Sequence, residues 1–274
     1  MAEPAVLYDV SEQIATVTFN RPDRLNAFNA DIETGLRDAM QAATRDAGVR
    51  VIVVTGAGRG FCAGADMERL SGAAGSGGAS LPRETPKPLD LGAPSRADFE
   101  QRYSYFPAVP KPIIGAINGP AAGLGFVFAC YCDIRFAGSD AIFTTAFSRR
   151  GLIAEYGLAW LLPRIVGPGH AADLLFSARR VAAEEAARIG LVNAVFPQAE
   201  FMARVRAYAQ ELAAAVSPRS MRVMKRQLWE GLLSSLGGAI ELANEEMRGS
   251  FLSEDFREGV AHFVEKRAPR FTGK

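Results

Sequence analysis

The sequence has few of the residues that build metal sites and disulfide frameworks. It contains three cysteines and two histidines among 274 residues. An odd number of cysteines without framework spacing argues against a disulfide scaffold. Because His170 and His262 lie far apart in sequence, a zinc site of the usual histidine and cysteine type is not expected. We therefore expect no metal ion and a reducing, cytoplasmic setting.

The sequence also lacks a charge excess and a long apolar run. It carries 31 basic and 30 acidic side chains, for a formal net charge of +1. This balance gives no overall field to attract a nucleic acid or an anionic membrane, although a local basic patch could bind one phosphorylated ligand. No apolar stretch reaches transmembrane length, and the N-terminus lacks the pattern of a signal peptide. We expect neither nucleic acid nor membrane as a partner.

What is present is an ordinary globular composition, with 49% hydrophobic and 22% charged residues. The length suits one large domain or a core with a small appendage. In the first part of the chain, strand patterns alternate with helical spacing, which is typical of an α/β core. The predicted strands are Val6–Val10, Ile14–Phe19, Val51–Val54, Ile113–Ile117, Ile134–Ala137 and Ile142–Phe143, and the predicted helices are Asn29–Ala47 and Gly123–Cys130.

Two later regions differ in composition. Residues 71–97 are rich in glycine, serine and proline, and we expect a mobile loop over a site, followed by helical spacing at Phe99–Phe106. From about Gly157 the strand signals vanish, and we divide the chain into an α/β core at 1–200 and a helical region at 201–274. The helices predicted after Gly157 are Leu158–Val166, Ala171–Ser177, Ala182–Ile189, Glu200–Val216, Pro218–Leu233 and Phe256–Arg267.

The first candidate site is the glycine-rich turn at 55–66, which directly follows a predicted buried strand. A dinucleotide-binding turn fits poorly, because Phe61 occupies the place where that motif needs a glycine. A plain strand-to-helix turn is a second interpretation. In a third, Gly64 and Ala65 lie at a helix start, where small side chains let a ligand oxygen approach the backbone N–H groups.

The second candidate site is the small-residue turn at 118–126, which follows the predicted strand Ile113–Ile117. Its glycines permit close packing of a helix on the sheet, and its free N–H groups would equally suit an anionic ligand. Two such turns after neighbouring strands favour ligand binding over simple helix packing. Together they could supply two convergent donors, which is the arrangement of an oxyanion hole.

Four segments in this order resemble the crotonase, or enoyl-CoA hydratase/isomerase, superfamily. They are Arg21–Ala27, Phe61–Asp66, Ile117–Gly125 with Cys132 and Asp133, and Phe263–Arg267. The resemblance covers nearly the whole chain. It implies an α/β fold built as a crotonase-like spiral of ββα units with a helical C-terminal region, in homotrimers or dimers of trimers. It also implies an acyl-CoA thioester substrate, so that coenzyme A is part of the substrate and no separate cofactor is needed.

The resemblance further implies roles for individual residues. The backbone N–H groups of Ala65 and Leu124 match the two donors of the family's oxyanion hole. Other residues match the region that lines the coenzyme A pocket, namely Arg24, Leu25, Ala63, Asp66 and Met67. Phe263 and Lys266 match a C-terminal helix that covers the adenine and phosphates, sometimes of a neighbouring subunit. Lys266 could instead lie on a solvated face, and for Asp133 we expect a structural role.

Both glutamates with which family hydratases activate water are missing. Val127 and Phe147 occupy their places. A single glutamate, Glu155, stands where the superfamily's monofunctional enoyl-CoA isomerases carry theirs, after the similar segment Phe143–Ser148. If Glu155 faces the pocket, its apolar neighbourhood would make it a usable proton shuttle. The alternative is a surface glutamate or a charge at the start of the next helix.

The implied reaction is therefore double-bond isomerisation of an enoyl-CoA, with the thioester enolate in the oxyanion hole and Glu155 as acid and base. Hydration with one glutamate and a non-catalytic acyl-CoA-binding role are the alternatives. We consider Arg149, Arg150 and Glu185 only as ion-pair partners. The apolar helical tail is expected to pack between subunits through Trp229, Leu232, Leu233 and Leu236.

Overall fold

The computed structural model describes residues 3–77, 86–92 and 94–274, with the backbone alone at Met67, Arg69, Leu70 and Ala73. Its strands are β1 (Val6–Ser11), β2 (Ile14–Phe19), β3 (Val51–Gly56), β4 (Ile113–Ile117), β5 (Ala121–Ala122), β6 (Ile134–Gly138), β7 (Ile142–Thr144), β8 (Val181–Ala182) and β9 (Ala194–Phe196). Its helices are α1 (Ala30–Arg45), α2 (Met67–Gly75), α3 (Leu124–Tyr131), α4 (Leu158–Ser177), α5 (Ala183–Arg188), α6 (Phe201–Ala215), α7 (Pro218–Gly231), α8 (Leu236–Leu252) and α9 (Glu254–Glu265).

A six-stranded sheet forms the centre of the fold, in the order β1-β2-β3-β4-β6-β9. β1 and β2 form an antiparallel hairpin, and every later pair in the sheet is parallel. All residues of β3 and β4 are buried. Helices cover both faces of such a parallel sheet, which explains why these two strands read as continuous apolar runs.

A smaller sheet, in the order β5-β7-β8, lies beside the first one. β5 follows β4 after only three residues and carries the chain into α3, all of whose residues are buried. The largest apolar cluster joins these elements to α1 and α4, while a second cluster lies where α6 packs on the other face of the main sheet. The predicted α/β fold with a helical C-terminal region is confirmed. Among the described residues, no helix is long and apolar enough to span a membrane.

Local signals in the sequence account for several element boundaries. α1 begins after Asn29, whose side chain accepts a hydrogen bond of 3.0 Å from the N–H of Ile32. α7 begins with Pro218 after Ser217, whose hydroxyl caps the N–H of Ser220. α4 is interrupted at Gly167, where φ is 78°, so the two predicted helices form one element with a kink.

Some predictions were wrong. Strands do not vanish after Gly157, because β8 and β9 complete the two sheets. The predicted helix at Phe99–Phe106 is absent: the described residues show only single 3₁₀ turns at Ala97–Phe99 and Phe106–Ala108. α8 was not predicted at all. Of the expected loop at 71–97, the first residues extend α2 to Gly75, and residues 78–85 and 93 lie outside the described part.

The C-terminal helices are attached to the core by buried polar contacts. The ammonium of Lys225 on α7 lies 2.8 Å from the Asp133 carboxylate, which also accepts from the N–H of Ile113 and from the indole of Trp229. Asp133 thus has the structural contacts expected of it, and Trp229 packs within its own chain. Because α6 packs on the main sheet, helical character alone does not mark the boundary between the two regions.

Candidate active site

Two buried asparagines hold the glycine-rich turn that follows β3. The amide of Asn26 donates to the carbonyls of Ala57 and Gly60 at 3.0 and 2.8 Å. The amide of Asn118 donates to the carbonyl of Gly56 at 2.9 Å. Sequence reasoning did not identify either asparagine as a functional residue. They fix the path of the backbone that leads to Ala65.

Ala65 presents its N–H away from the neighbouring chain segment. Phe28 pairs with the residues on both sides, because its N–H donates to the carbonyl of Gly64 at 2.7 Å and its carbonyl accepts from the N–H of Asp66 at 3.1 Å. Gly64 has a φ of 95°, which favours glycine. The N–H of Ala65 has no hydrogen-bond acceptor among the described residues.

Leu124 presents a second such N–H at the start of α3. The preceding Gly123 has a φ of 51° and donates to the carbonyl of Thr144 at 3.2 Å. Leu124 is the first helical residue, so its N–H has no partner within the helix, and it makes no hydrogen bond in the described part of the chain. Together with Ala65, it offers two donors suited to an anionic oxygen.

The two turns touch each other. A Cβ atom added to Gly64 would lie 2.9 Å from the carbonyl oxygen of Ala122, and one added to Gly125 would lie 2.1 Å from that of Cys62. Only glycine allows this approach of backbone to backbone. Burial raises the pKa of the Cys62 thiol to about 12, so this cysteine is not a thiolate nucleophile at neutral pH.

A cavity of about 330 Å³ opens where the turns meet, and we call it the turn cavity. The residues that line it are Arg24, Ala27, Ala63, Gly64, Ala65, Asp66, Gly123, Leu124, Ala146, Phe147, Arg150, Leu152 and Glu155. Six of the predicted site residues are thus brought together from four separate parts of the chain.

Of the other four predicted site residues, Leu25, Phe263 and Lys266 do not line the turn cavity. Leu25 lies behind it, where its carbonyl accepts from the N–H of Ala63 at 3.0 Å. The side chain of Met67 is outside the described part. Phe263 and Lys266 lie exposed at the end of α9 and do not reach the turn cavity of the same chain. Contact from a neighbouring copy stays a prediction for these two residues.

Two carboxylates line the cavity among the described residues, and their surroundings differ. Asp66 lies 2.9 Å from the guanidinium of Arg21 and also caps the N–H of Glu68 at the start of α2. The hydrogen bond from Arg21 holds the pKa of the Asp66 carboxyl below its usual value. Asp66 is therefore a weak base. Glu155 is half-buried on the segment that leads into α4, where its carbonyl accepts from the N–H of Leu158 at 3.0 Å.

Apolar side chains occupy both places where family hydratases carry glutamates. Val127 is fully buried in α3, and Phe147 lines the cavity wall with an exposed fraction of 5%. Arg150 also lines the cavity, which the sequence analysis did not anticipate. Its position after the turn at Phe147 was visible in the sequence, but nothing there showed that it faces the site.

The remaining candidates have structural partners elsewhere. Glu185 forms a two-pronged salt bridge with Arg179, and Arg149 donates to the carbonyl of Ser177. Among the described residues, no group of three histidine, cysteine or acidic side chains could hold a metal ion. The chemistry available in the turn cavity is therefore that of two backbone donors, two carboxylates and two arginines.

Comparisons with known proteins agree with this geometry. The family model for enoyl-CoA hydratase/isomerase matches residues 9–274. A probable enoyl-CoA hydratase from Rhodobacter capsulatus is 36% identical over 274 residues, covering 100% of both chains. The 1,2-epoxyphenylacetyl-CoA isomerase of Escherichia coli K12 is 34% identical over 269 residues, covering 98% of both. A crystal structure of a probable enoyl-CoA hydratase/isomerase from Mycobacterium abscessus matches with a TM-score of 0.86 and 28% identity, covering 98% of this chain and 99% of that one. The chain belongs to the enoyl-CoA hydratase/isomerase family and has its crotonase-type fold.

Proposed function

We propose that this enzyme isomerises the double bond of an enoyl-CoA thioester, with Glu155 as its single acid and base. The observation that carries the proposal is the composition of the turn cavity. It combines two N–H donors without acceptors among the described residues, a glutamate and the apolar side chain of Phe147 at one hydratase position, while Val127 at the other lies buried in α3. A relative at 34% identity is named as an isomerase of a CoA thioester, which supports the same class of chemistry.

The reaction begins when the thioester carbonyl accepts hydrogen bonds from the N–H groups of Ala65 and Leu124. These fixed donors stabilise the negative charge that develops on the oxygen as an enolate forms, and removing one such donor typically costs about a hundredfold to a thousandfold in rate. Because the donors belong to the backbone of two touching turns, they need no reorganisation during the reaction.

Proton transfer follows at the acyl chain. The Glu155 carboxylate removes a proton from the α-carbon of a β,γ-enoyl-CoA, and the electron pair enters a dienolate. The protonated Glu155 then returns the proton to the γ-carbon, and the double bond moves to the α,β position. Atoms and charge balance without water or an added cofactor, and one carboxylate suffices because it gives back the proton it took.

Hydration is disfavoured because water would need a second polar partner. In family hydratases two glutamates hold the attacking water, and Val127 and Phe147 can neither accept nor donate a proton. Hydration with Glu155 alone and binding without catalysis are the competing functions. Relatives named as hydratases support the first of these only through overall similarity.

We also propose how the remainder of the substrate and the assembly are arranged. The guanidinium of Arg24 at the cavity mouth suits the phosphates of coenzyme A. Phe263 and Lys266 would cover the adenine end from a neighbouring copy, in a homotrimer or a dimer of trimers. The exposed apolar side chains of α8 and α9 support such an assembly, since they include Leu236, Phe251, Leu252, Phe263 and Val264.

The test of the proposed function is Glu155→Gln, which keeps size and polarity but removes the base. Turnover of a β,γ-enoyl-CoA should fall by about a hundredfold to ten-thousandfold, the usual contribution of a positioned acid or base. Affinity for acyl-CoA should change little, because the backbone donors stay in place.

Glu185→Gln is the matched control, since Glu185 is bound to Arg179 away from the cavity and the variant should keep parental turnover. Thermal shift with butyryl-CoA should accompany the kinetics. Saturating ligand at a hundredfold excess over its dissociation constant stabilises the folded state by about 2.7 kcal/mol. A Glu155→Gln variant that binds the ester and retains full turnover would contradict the proposed mechanism.

A further inference from the structure

A second cavity of about 410 Å³ lies beyond the turn cavity, and we call it the far cavity. Its walls are largely apolar and include Phe99, Tyr131, Trp160, Leu161, Trp229 and Leu233. No residue that lines the turn cavity also lines the far cavity. The two spaces are therefore separate among the described residues.

Four aromatic rings joined through Tyr103 form what we call the aromatic layer: Phe28, Tyr103, Phe128 and Tyr156. The Tyr103 ring meets the other three at centroid distances of 5.7, 5.2 and 4.7 Å, and Phe28 meets Phe128 at 4.9 Å. The layer is well packed, since Phe28 and Phe128 are fully buried and Tyr103 is 2% exposed.

Three chain segments place this layer between the two cavities. α3 starts at Leu124 in the turn cavity, passes Phe128 in the layer and ends at Tyr131 in the far cavity. The segment 155–157 repeats this order, with Glu155 on one side and Gly157 on the other side of Tyr156.

The third segment is at 101–104, where Gln101 and Ser104 line the far cavity and Tyr103 lies in the layer. On the opposite side, Ala27 lines the turn cavity directly before Phe28. Four separate backbone segments thus meet at one aromatic partition.

Tyr156 is the member of the layer that is both nearest to the proposed base and least buried. Its φ is 52°, a left-handed conformation that is uncommon for a bulky residue, and Gly157 continues it with a φ of 78°. The hydroxyl of Tyr131 donates to the carbonyl of Tyr156 at 2.8 Å and fixes this backbone. Such a conformation persists only where the surroundings hold it, and here it directs the ring against Tyr103.

We infer that the aromatic layer is the end wall of the acyl pocket and that Tyr156 restricts the enzyme to short acyl groups. This rests on the proposed function, because the acyl chain must start at the donors of Ala65 and Leu124. Phe128 lies about 6 Å along the helix axis from Leu124, at a rise of about 1.5 Å per residue. A butenoyl group fits before the wall, whereas a dodecenoyl group would have to pass through the layer into the far cavity.

The test measures dissociation constants of saturated acyl-CoAs, which cannot be isomerised, so its outcome is independent of the reaction type. The parent enzyme should bind butyryl-CoA at least tenfold more tightly than dodecanoyl-CoA. Tyr156→Ala should reduce this ratio to near unity by joining the two cavities. If that variant fails to fold, Tyr156→Asn serves the same purpose, because asparagine tolerates a positive φ.

A second substitution tests where the longer chain goes. Leu233 lines the far cavity and is half-buried, so Leu233→Trp should fill that space with little strain. In the Tyr156→Ala background, Leu233→Trp should restore the parental preference, so that butyryl-CoA again binds at least tenfold more tightly than dodecanoyl-CoA. As a single substitution it should leave butyryl-CoA binding unchanged.

Two results would overturn the inference. One is a parent enzyme that binds dodecanoyl-CoA as tightly as butyryl-CoA. The other is a folded Tyr156→Ala variant that keeps the parental ratio. Failure of every CoA ester to bind would overturn the proposed function as well, whereas a ratio independent of Tyr156 would overturn this inference alone.

Discussion

The two halves of the molecule bury their apolar side chains in different ways. Around the turn cavity, β3, β4 and α3 are buried along their entire length within one chain. In contrast, α8, which is described in full, buries none of its residues, and α9 buries only Asp255. Leu236 and Phe263 on these helices are 79% and 80% exposed. The site therefore rests on a core complete within the chain, whereas α8 and α9 leave large apolar side chains exposed.

Polar contacts fix α7 and α9, whereas α6 is attached to the core by apolar packing. Lys225 and Trp229 of α7 bind Asp133 of the core, and within the C-terminal region Asp255 of α9 accepts from Ser217, Thr272 and Gly273. Because such contacts are few and directional, they fix the position of a helix without covering its apolar face. Substitutions in the core and at these anchors should therefore change the free energy of unfolding, and substitutions on the exposed face should change assembly instead.

The largest effect on stability is expected from Asp133→Ala, which removes the anchor between the two halves. Burial lowers the pKa of Lys225, and the Asp133 carboxylate opposes this shift, so the variant leaves a buried ammonium without its counter-charge. Breaking a buried ion pair from one side costs about 3–5 kcal/mol in the free energy of unfolding. Urea denaturation measures this loss, and a loss below about 1 kcal/mol would show that α7 does not depend on the anchor.

The next effect should come from Gly125→Ala, where the added Cβ would lie 2.1 Å from the carbonyl oxygen of Cys62. We expect a loss of about 3 kcal/mol in stability, because overpacking must push the two turns apart, and reduced turnover for the same reason.

Gly231→Ala is the matched control in the C-terminal region, since its Cβ would have nothing within 4 Å. At the end of α7 it should stabilise the protein by about 0.5–1 kcal/mol. Equal effects of the two alanines in thermal denaturation would contradict the difference between the regions.

A smaller effect concerns the ion pair between Arg21 and Asp66 at the cavity rim. Because the folded-state pKa of Asp66 is lowered, its stabilisation is present above the unfolded pKa of about 3.9 and is lost as pH falls through the folded pKa. Asp66→Asn should lower the free energy of unfolding by about 1 kcal/mol at neutral pH and leave it unchanged in strong acid.

A pH series of melting temperatures on the parent and Asp66→Asn measures this difference. Asp98→Asn, which removes the exposed pair with Arg96, should have little effect at any pH. A gap between the parent and Asp66→Asn that stays constant down to strong acid would exclude the ion pair as its source.

The smallest effect within a chain is expected from Leu236→Asp on the exposed apolar face. An acidic residue is compatible with the first turn of α8, so the intrinsic stability should change by less than about 0.5 kcal/mol. Light scattering at micromolar concentration should nevertheless show a fall in molecular mass. Phe176→Asp, an equally exposed position on α4, should leave the mass unchanged. A parent enzyme that is strictly monomeric would refute the proposed assembly.

Parts of the fold were predictable because their signals are local. β3 and β4 are continuous apolar runs that end in glycine-rich turns, and Asn29 is a strong cap for α1. β5 and β8 were missed because two residues are too few to show a period. α8 was missed because Gly237 and Gly238 interrupt its pattern and none of its residues is buried to mark a face.

The aromatic residues at 99–106 show how packing can imitate a helical pattern. Phe99, Tyr103 and Phe106 recur at helical spacing and are all buried, but the chain there forms only separate turns. Their rings are held by tertiary contacts, such as that of Tyr103 with Phe128, which no local pattern contains. The spacing thus predicted burial correctly and secondary structure wrongly.

The candidate site likewise contains parts that local motifs predict and parts that depend on tertiary contacts. The two backbone turns and Glu155 were found from motifs, since each has a distinctive sequence around it. Asn118 and Arg150 were not, because their contribution depends on which segments meet in space. The aromatic layer likewise joins four segments, so the sequence could not have revealed it.

The most direct test of the proposed mechanism is the product formed from a β,γ-enoyl-CoA and from the corresponding α,β-enoyl-CoA by the parent enzyme. Mass spectrometry and ultraviolet absorbance distinguish a moved double bond from added water. We expect the β,γ ester to be converted to the α,β ester without a change in mass, and the α,β ester to gain water far more slowly, because Val127 and Phe147 stand in place of the two glutamates of family hydratases. Rapid hydration of the α,β ester, with no movement of the double bond, would contradict the account.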